Sequence, residues 1–106
     1  MAFRVDLTPQ AEADLEEIFE WVFSRAPYRA PLWFSRLESA ILSLGHRPER
    51  CPIVPALSTG DHPVRQLLFG RRRHVYRVYF SVLEDVVKVL HVRHGARRRP
   101  RKLGGE

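Results

Sequence analysis

The residues of this chain able to do chemistry are concentrated in two short stretches. In VLHVRHGARRRPRK, residues 89–102, a run of buried-type side chains leads straight into His91, Arg93, His94, Arg97, Arg98, Arg99, Arg101 and Lys102. In RQLLFGRRRHVYRVYF, residues 65–80, a similar texture carries Arg65, Arg71, Arg72, Arg73, His74 and Arg77. Guanidinium groups bind phosphates and carboxylates through paired, charge-assisted hydrogen bonds. A histidine whose charge changes near neutral pH supplies a general acid or base, and His94 is the first candidate, ahead of His74 and His91. The alternative is a solvated cationic face, or a surface waiting for an acidic protein.

The charge is divided along the chain. Residues 1–50 hold 6 Lys/Arg against 8 Asp/Glu, a balance of −2, and residues 51–106 hold 12 against 4, a balance of +8. A basic half of this kind attracts polyanions through many weak phosphate contacts and counterion release. No recognition-helix arrangement with basic residues is apparent, which argues against direct DNA reading. The single cysteine, Cys51, excludes an internal disulfide and leaves too few thiolates for a zinc site. No metal or cofactor is expected.

At 106 residues and 44% hydrophobic, the chain has material for one domain with one modest core. Residues 1–99 are expected to form it, with 100–106 as a basic, glycine-containing tail. No apolar run reaches the roughly 20 residues that a helical membrane span needs. The opening MAFRVDL lacks the pattern of a signal peptide, so a cytoplasmic location is expected.

Positioning those arginines falls to elements visible in the pattern. Phe3, Val5 and Leu7 alternate with polar residues as in a short strand. Thr8-Pro9 supplies an N-cap and a first-turn proline, and Ala11, Leu15, Ile18, Phe19 and Val22 follow at helical spacing, predicting a helix over about 9–24. After SRAPYRAP, a second stripe of Trp33, Leu37, Ala40, Ile41 and Leu44 ends at Gly45 and Pro48. Two such helices fold back as an antiparallel hairpin. Residues 46–63 hold four prolines and no period, a long loop for a small domain.

From Val64 onward, VRQLLF, HVYRVYFSV and VVKVLHVR read as three strands joined by tight turns. The fold class is α+β in the order β-α-α-β-β-β, an antiparallel sheet with the helical hairpin on one face. Alternation puts Tyr76, Val78, Phe80 and Val82 beneath the helices and Arg77 and Tyr79 on an uncovered face. The last strand is apolar on both faces in its first half, so the pattern leaves its sides unassigned. The turn at 70–73 and the end of the last strand fall at the same end of the meander, predicting one merged basic surface.

The order and spacing of LTPQAEADLEEIFEWV, APLWFSRLESAILSLGHRPERCP, RQLLFG, VYRVYF and VLHVRHGARR resemble the RelE/ParE superfamily, the toxins of bacterial type II toxin–antitoxin modules. The resemblance covers about residues 3–99. It implies a toxin that arrests growth, held silent in a hetero-oligomer by a cognate antitoxin. It implies one of two targets. RelE-like members cleave messenger RNA on the ribosome, without metal, by attack of the ribose 2′-hydroxyl on the adjacent phosphate. ParE-like members are not nucleases and poison DNA gyrase.

Under the first reading, favoured slightly by the density of arginine, Arg77 and Arg97 match the arginines of the RelE pattern and would stabilise the phosphorane, while His94 would move protons. Arg65, Arg71, Arg72, Arg73, Arg93 and Arg98 would hold the nucleic acid, Arg65 on the same face as Arg77. The lysines of the RelE pattern are missing, since only Lys88 and Lys102 occur, in other places. So is the tyrosine that follows its last arginine. Arg77 and Arg97 also have ParE-like counterparts, so the gyrase reading stays open. So does a third, in which the basic face serves only to bind an acidic antitoxin segment.

Overall fold

The computed structural model describes residues 2–95, apart from the Arg72 side chain. Strand β1 (Arg4–Leu7) leads into helix α1 (Pro9–Arg25), then α2 (Ala30–Leu42). Three single-turn 3₁₀ segments follow before strands β2 (Arg65–Phe69), β3 (Tyr76–Leu83) and β4 (Val86–His94). The start of α1 is set as the sequence predicts. Thr8 is extended, its hydroxyl oxygen accepts from the Ala11 N–H at 3.1 Å, and Pro9 occupies the first turn.

The four strands form one sheet in the order β1-β4-β3-β2. β2, β3 and β4 are the expected antiparallel meander. β1 adds beside β4 in parallel, so the sheet is mixed rather than wholly antiparallel. The reason is connectivity: β1 is joined to the meander by the helical hairpin and the long loop, so no tight turn forces it to reverse. Gly45, just past the hairpin, fits against the strand's start, where a Cβ would lie 2.9 Å from the Phe3 carbonyl oxygen.

The helices cover one face of the sheet. Leu15, Leu37, Ile41 and Leu44 pack there with Val78, Phe80, Val87, Val89 and Val92. The other face is not open, contrary to expectation. The proline-rich loop lies over it, and Val54, Leu57 and Val64 pack on a fully buried Tyr79, with Leu90 beside them. That loop is pinned by sheet-like hydrogen bonds from Val54 N to Val64 O, 2.7 Å, and from Gln66 N to Pro52 O, 3.1 Å.

A bulge explains why β4 resisted assignment. Tyr79 pairs with His91 but Phe80 pairs with Val89, which leaves Leu90 as an extra residue. Val87 and Val89 before it and Val92 after it therefore all reach the helical core, although strict alternation would split them.

Candidate functional site

The end of the sheet where β3 begins and β4 finishes gathers much of what the sequence singled out. Arg77 stands directly across from Arg93 in the β3–β4 ladder, and Tyr76 across from His94. The rings of Tyr76 and His94 meet edge to face at 4.9 Å. Gly95 N donates to Val75 O at 2.5 Å, closing this end against the turn before β3. That turn needs Gly70, where φ is +97° and a Cβ would lie 2.1 Å from the His74 carbonyl oxygen, so no side chain fits.

Two like charges directly opposite on antiparallel strands repel. Arg77 is half-buried and donates to Gln66 Oε1 at 3.2 Å. Arg93 is half-buried too, and its Nε is buried without a hydrogen-bond partner among the described residues. The Tyr79 hydroxyl, two residues along the same strand face as Arg77, is likewise buried and unpartnered among them. Buried polar atoms are nearly always satisfied, so this end carries an uncommon share of unmet hydrogen-bonding capacity.

Arg65 does not join it. Arg65 pairs with Phe80, three positions from Arg77, so the two arginines occupy opposite faces of the sheet. Its guanidinium donates to the carbonyls of Cys51, 2.7 Å, and Glu49, 3.1 Å. It fastens the long loop to β2. The expectation that Arg65 shares a face with Arg77 is corrected: it rested on position alone, and the β2–β3 register sets the two on opposite faces.

The turn before β3 and the end of β4 meet, as the strand reversals predict. Arg73 and Arg93 line a cavity of about 360 Å³ between α1 and the end of β4, with Asp14, Glu17, Ile18 and Trp21 on its helical wall. Arg71 instead lines a neighbouring apolar groove of about 600 Å³, together with Trp33, Phe69 and Tyr76. His74 borders both. Arg97 and Arg98 lie outside the described residues, and so does any contact between Arg77 and Arg97.

That groove also holds residues the sequence reading passed over. Arg25 and Arg29 at the hairpin bend and Arg36 on α2 ring it with Arg71. The guanidinium of Arg25 sits 4.0 Å over the Trp21 ring. Within the acidic half of the chain these three arginines looked dispersed. The bend between the helices is what brings them together, and no spacing within one helix reveals it.

His91 is also placed otherwise than as a surface base. It is buried, and its Nδ1 lies 3.1 Å from Asp14 Oδ2, which also accepts from Val92 N at 3.0 Å. Cys51 is buried, and burial pushes its thiol upward more than nearby Arg50 and Arg65 pull it down, so it is held as an unreactive thiol. Among the described residues, no group of three His, Cys, Asp or Glu side chains is placed to hold a metal ion. Nor is any helix among them long and apolar enough to cross a membrane.

A helical hairpin on a four-stranded mixed sheet is the α+β architecture of the small toxins of the RelE/ParE superfamily. Residues 5–99 match the family model described as the ParE toxin of the type II toxin–antitoxin system, parDE, and the chain belongs to that family. Two solved structures share the fold. A chain of the chromosomal ParDE toxin–antitoxin system from P. aeruginosa is similar with a TM-score of 0.71 and 19% identity, over 88% of this chain and 96% of that one. A chain of the archaeal RelE–RelB complex from Pyrococcus horikoshii OT3 is similar with a TM-score of 0.59 and 22% identity, over 92% of this chain and all of that one. A search of curated protein sequences finds no match.

Proposed function

We propose that this toxin arrests growth by binding a protein target, DNA gyrase, rather than by cutting RNA, and that a cognate antitoxin silences it. The observation carrying the reading is the ParE family match over nearly the whole described chain. The placement of the residues supports it. Arg65 is committed to the long loop and His91 to Asp14. Lys88 pairs with Asp6 and Ser81 in the middle of the sheet, away from Arg77. The groove ringed by Arg25, Arg29, Arg36 and Arg71 suits an acidic amphipathic antitoxin segment, which would meet apolar walls and opposite charge together.

The reading as a metal-independent endoribonuclease retains one specific observation, the facing pair Arg77 and Arg93. Two arginines paired across neighbouring strands would favour an anion near them, and a phosphorane is one such anion. Induced expression followed by parallel assays separates the two. The gyrase reading expects trapped gyrase–DNA cleavage complexes and an SOS response, with messenger RNA intact. Cleaved messenger RNA with normal supercoiling would replace it with the nuclease reading. Co-expression of the antitoxin should restore growth in either case.

A further inference from the structure

We propose that the cavity between α1 and the end of β4 is a guanine-nucleotide site, in which Glu17 reads the base edge and Arg73 and Arg93 hold the phosphate. Its volume, about 360 Å³, lies in the range of small-molecule sites and suits a ligand of mononucleotide size. Trp21 and Tyr76 contribute aromatic walls, and Ile18 and Val92 aliphatic ones.

The charged groups of the cavity are unusual in being opposite in sign yet uncommitted. Neither Glu17 nor Arg73 takes part in a hydrogen bond or an ion pair among the described residues, and Arg93 keeps its buried Nε unpartnered there. Asp14 lines the same cavity but is fully used. Its Oδ1 accepts from Gln10 at 2.9 Å, and its Oδ2 serves His91 and Val92. Glu17 is therefore the carboxylate left for a ligand, in a cavity whose other carboxylate, Asp14, is already engaged and whose arginines are Arg73 and Arg93.

A matching ligand needs a flat apolar body, an anionic group and an edge that only donates. An ionised carboxylate accepts hydrogen bonds and offers none. Guanine presents N1–H and the N2 amino group side by side, two donors that one carboxylate can take together. Adenine and cytosine place an acceptor beside their donor, which a carboxylate repels. The phosphate then satisfies Arg73 and Arg93, and the ring lies against Trp21. This assignment is independent of whether the toxin's target is gyrase or messenger RNA.

The test is a titration of the full chain, freed of any partner, with 5′-GMP, 5′-AMP, guanosine and inorganic phosphate, followed by tryptophan fluorescence and calorimetry. Binding of 5′-GMP at least tenfold tighter than 5′-AMP, guanosine or phosphate is expected. Glu17→Gln changes an exposed position and should erase the preference over 5′-AMP, because an amide presents a donor where guanine also donates. Arg73→Gln should bring 5′-GMP down to the level of guanosine. Equal affinity for 5′-GMP and 5′-AMP, a preference unmoved by Glu17→Gln, or no saturable binding by the unaltered chain would each overturn the assignment.

Discussion

Two regions of β4, only one residue apart, are built on opposite terms. At His91 and Val92 the strand runs past the end of β1, and its exposed edge is taken up by α1. One carboxylate, Asp14, accepts from both the Val92 N–H and the His91 ring and is itself steadied by Gln10. Thr8 closes the adjacent edge, its N–H and hydroxyl both directed at the Val89 carbonyl at 3.0 and 2.9 Å. At Arg93 the strand instead meets Arg77 head on, with buried nitrogen unpaired. The first region spends its polar groups on the fold. The second leaves donor capacity unmet among the described residues, where an anion could be taken up.

The largest expected effect that would test this contrast is Asp14→Ala. Removing the carboxylate strands a buried backbone N–H and a buried imidazole, and each orphaned group costs about 1–3 kcal/mol. A loss of about 3 kcal/mol is expected, read as a lower urea midpoint at unchanged slope. A loss below about 1 kcal/mol would mean that water replaces Asp14 and that this seam does not hold α1 on the sheet.

Thr8→Ala should follow with about 1–2 kcal/mol in the same measurement. It removes the cap on Ala11 N and the hydroxyl contact to Val89, but the Thr8 N–H still reaches the strand. A value equal to that of Asp14→Ala would show that the cap, not the carboxylate, is the main tie.

How much of this was written in the residue pattern differs between the two regions. Thr8-Pro9, the apolar stripes and the three β-type runs announced the elements, because capping and periodicity are local. The meeting of the 70–74 turn with the end of β4 followed from counting reversals. Asp14 did not stand out, since one acid among Glu12, Glu16 and Glu17 looks like helix surface. Its role depends on β1 being four residues long and leaving the β4 edge bare beyond Val89. The bulge at Leu90 and the loop folded over Tyr79 are non-local as well. They turned a predicted open face into a second small core, while the β2–β3 register set Arg65 and Arg77 on opposite faces.

The smallest effect on the fold, and the sharpest on function, is expected for Arg77→Gln. Among the described residues the native side chain gives one hydrogen bond, to Gln66, and it faces the charge of Arg93 across the ladder. Glutamine can keep a bond of that kind, and removing one cation relieves the repulsion. Cross-strand terms of this sort are each about 0.2–1 kcal/mol, so the two should nearly cancel. The expected unfolding free energy is within about 0.5 kcal/mol of the native protein, or slightly above it. Growth arrest on induction should nevertheless be lost where this pair meets an anionic group of the target, because it would then hold a single charge. Arg65→Gln is the companion measurement. It should lower stability by about 1 kcal/mol through the freed Cys51 and Glu49 carbonyls while sparing toxicity. If Arg65→Gln abolished growth arrest and Arg77→Gln did not, the functional surface would lie on the helix side of β2 and not where the last two strands meet.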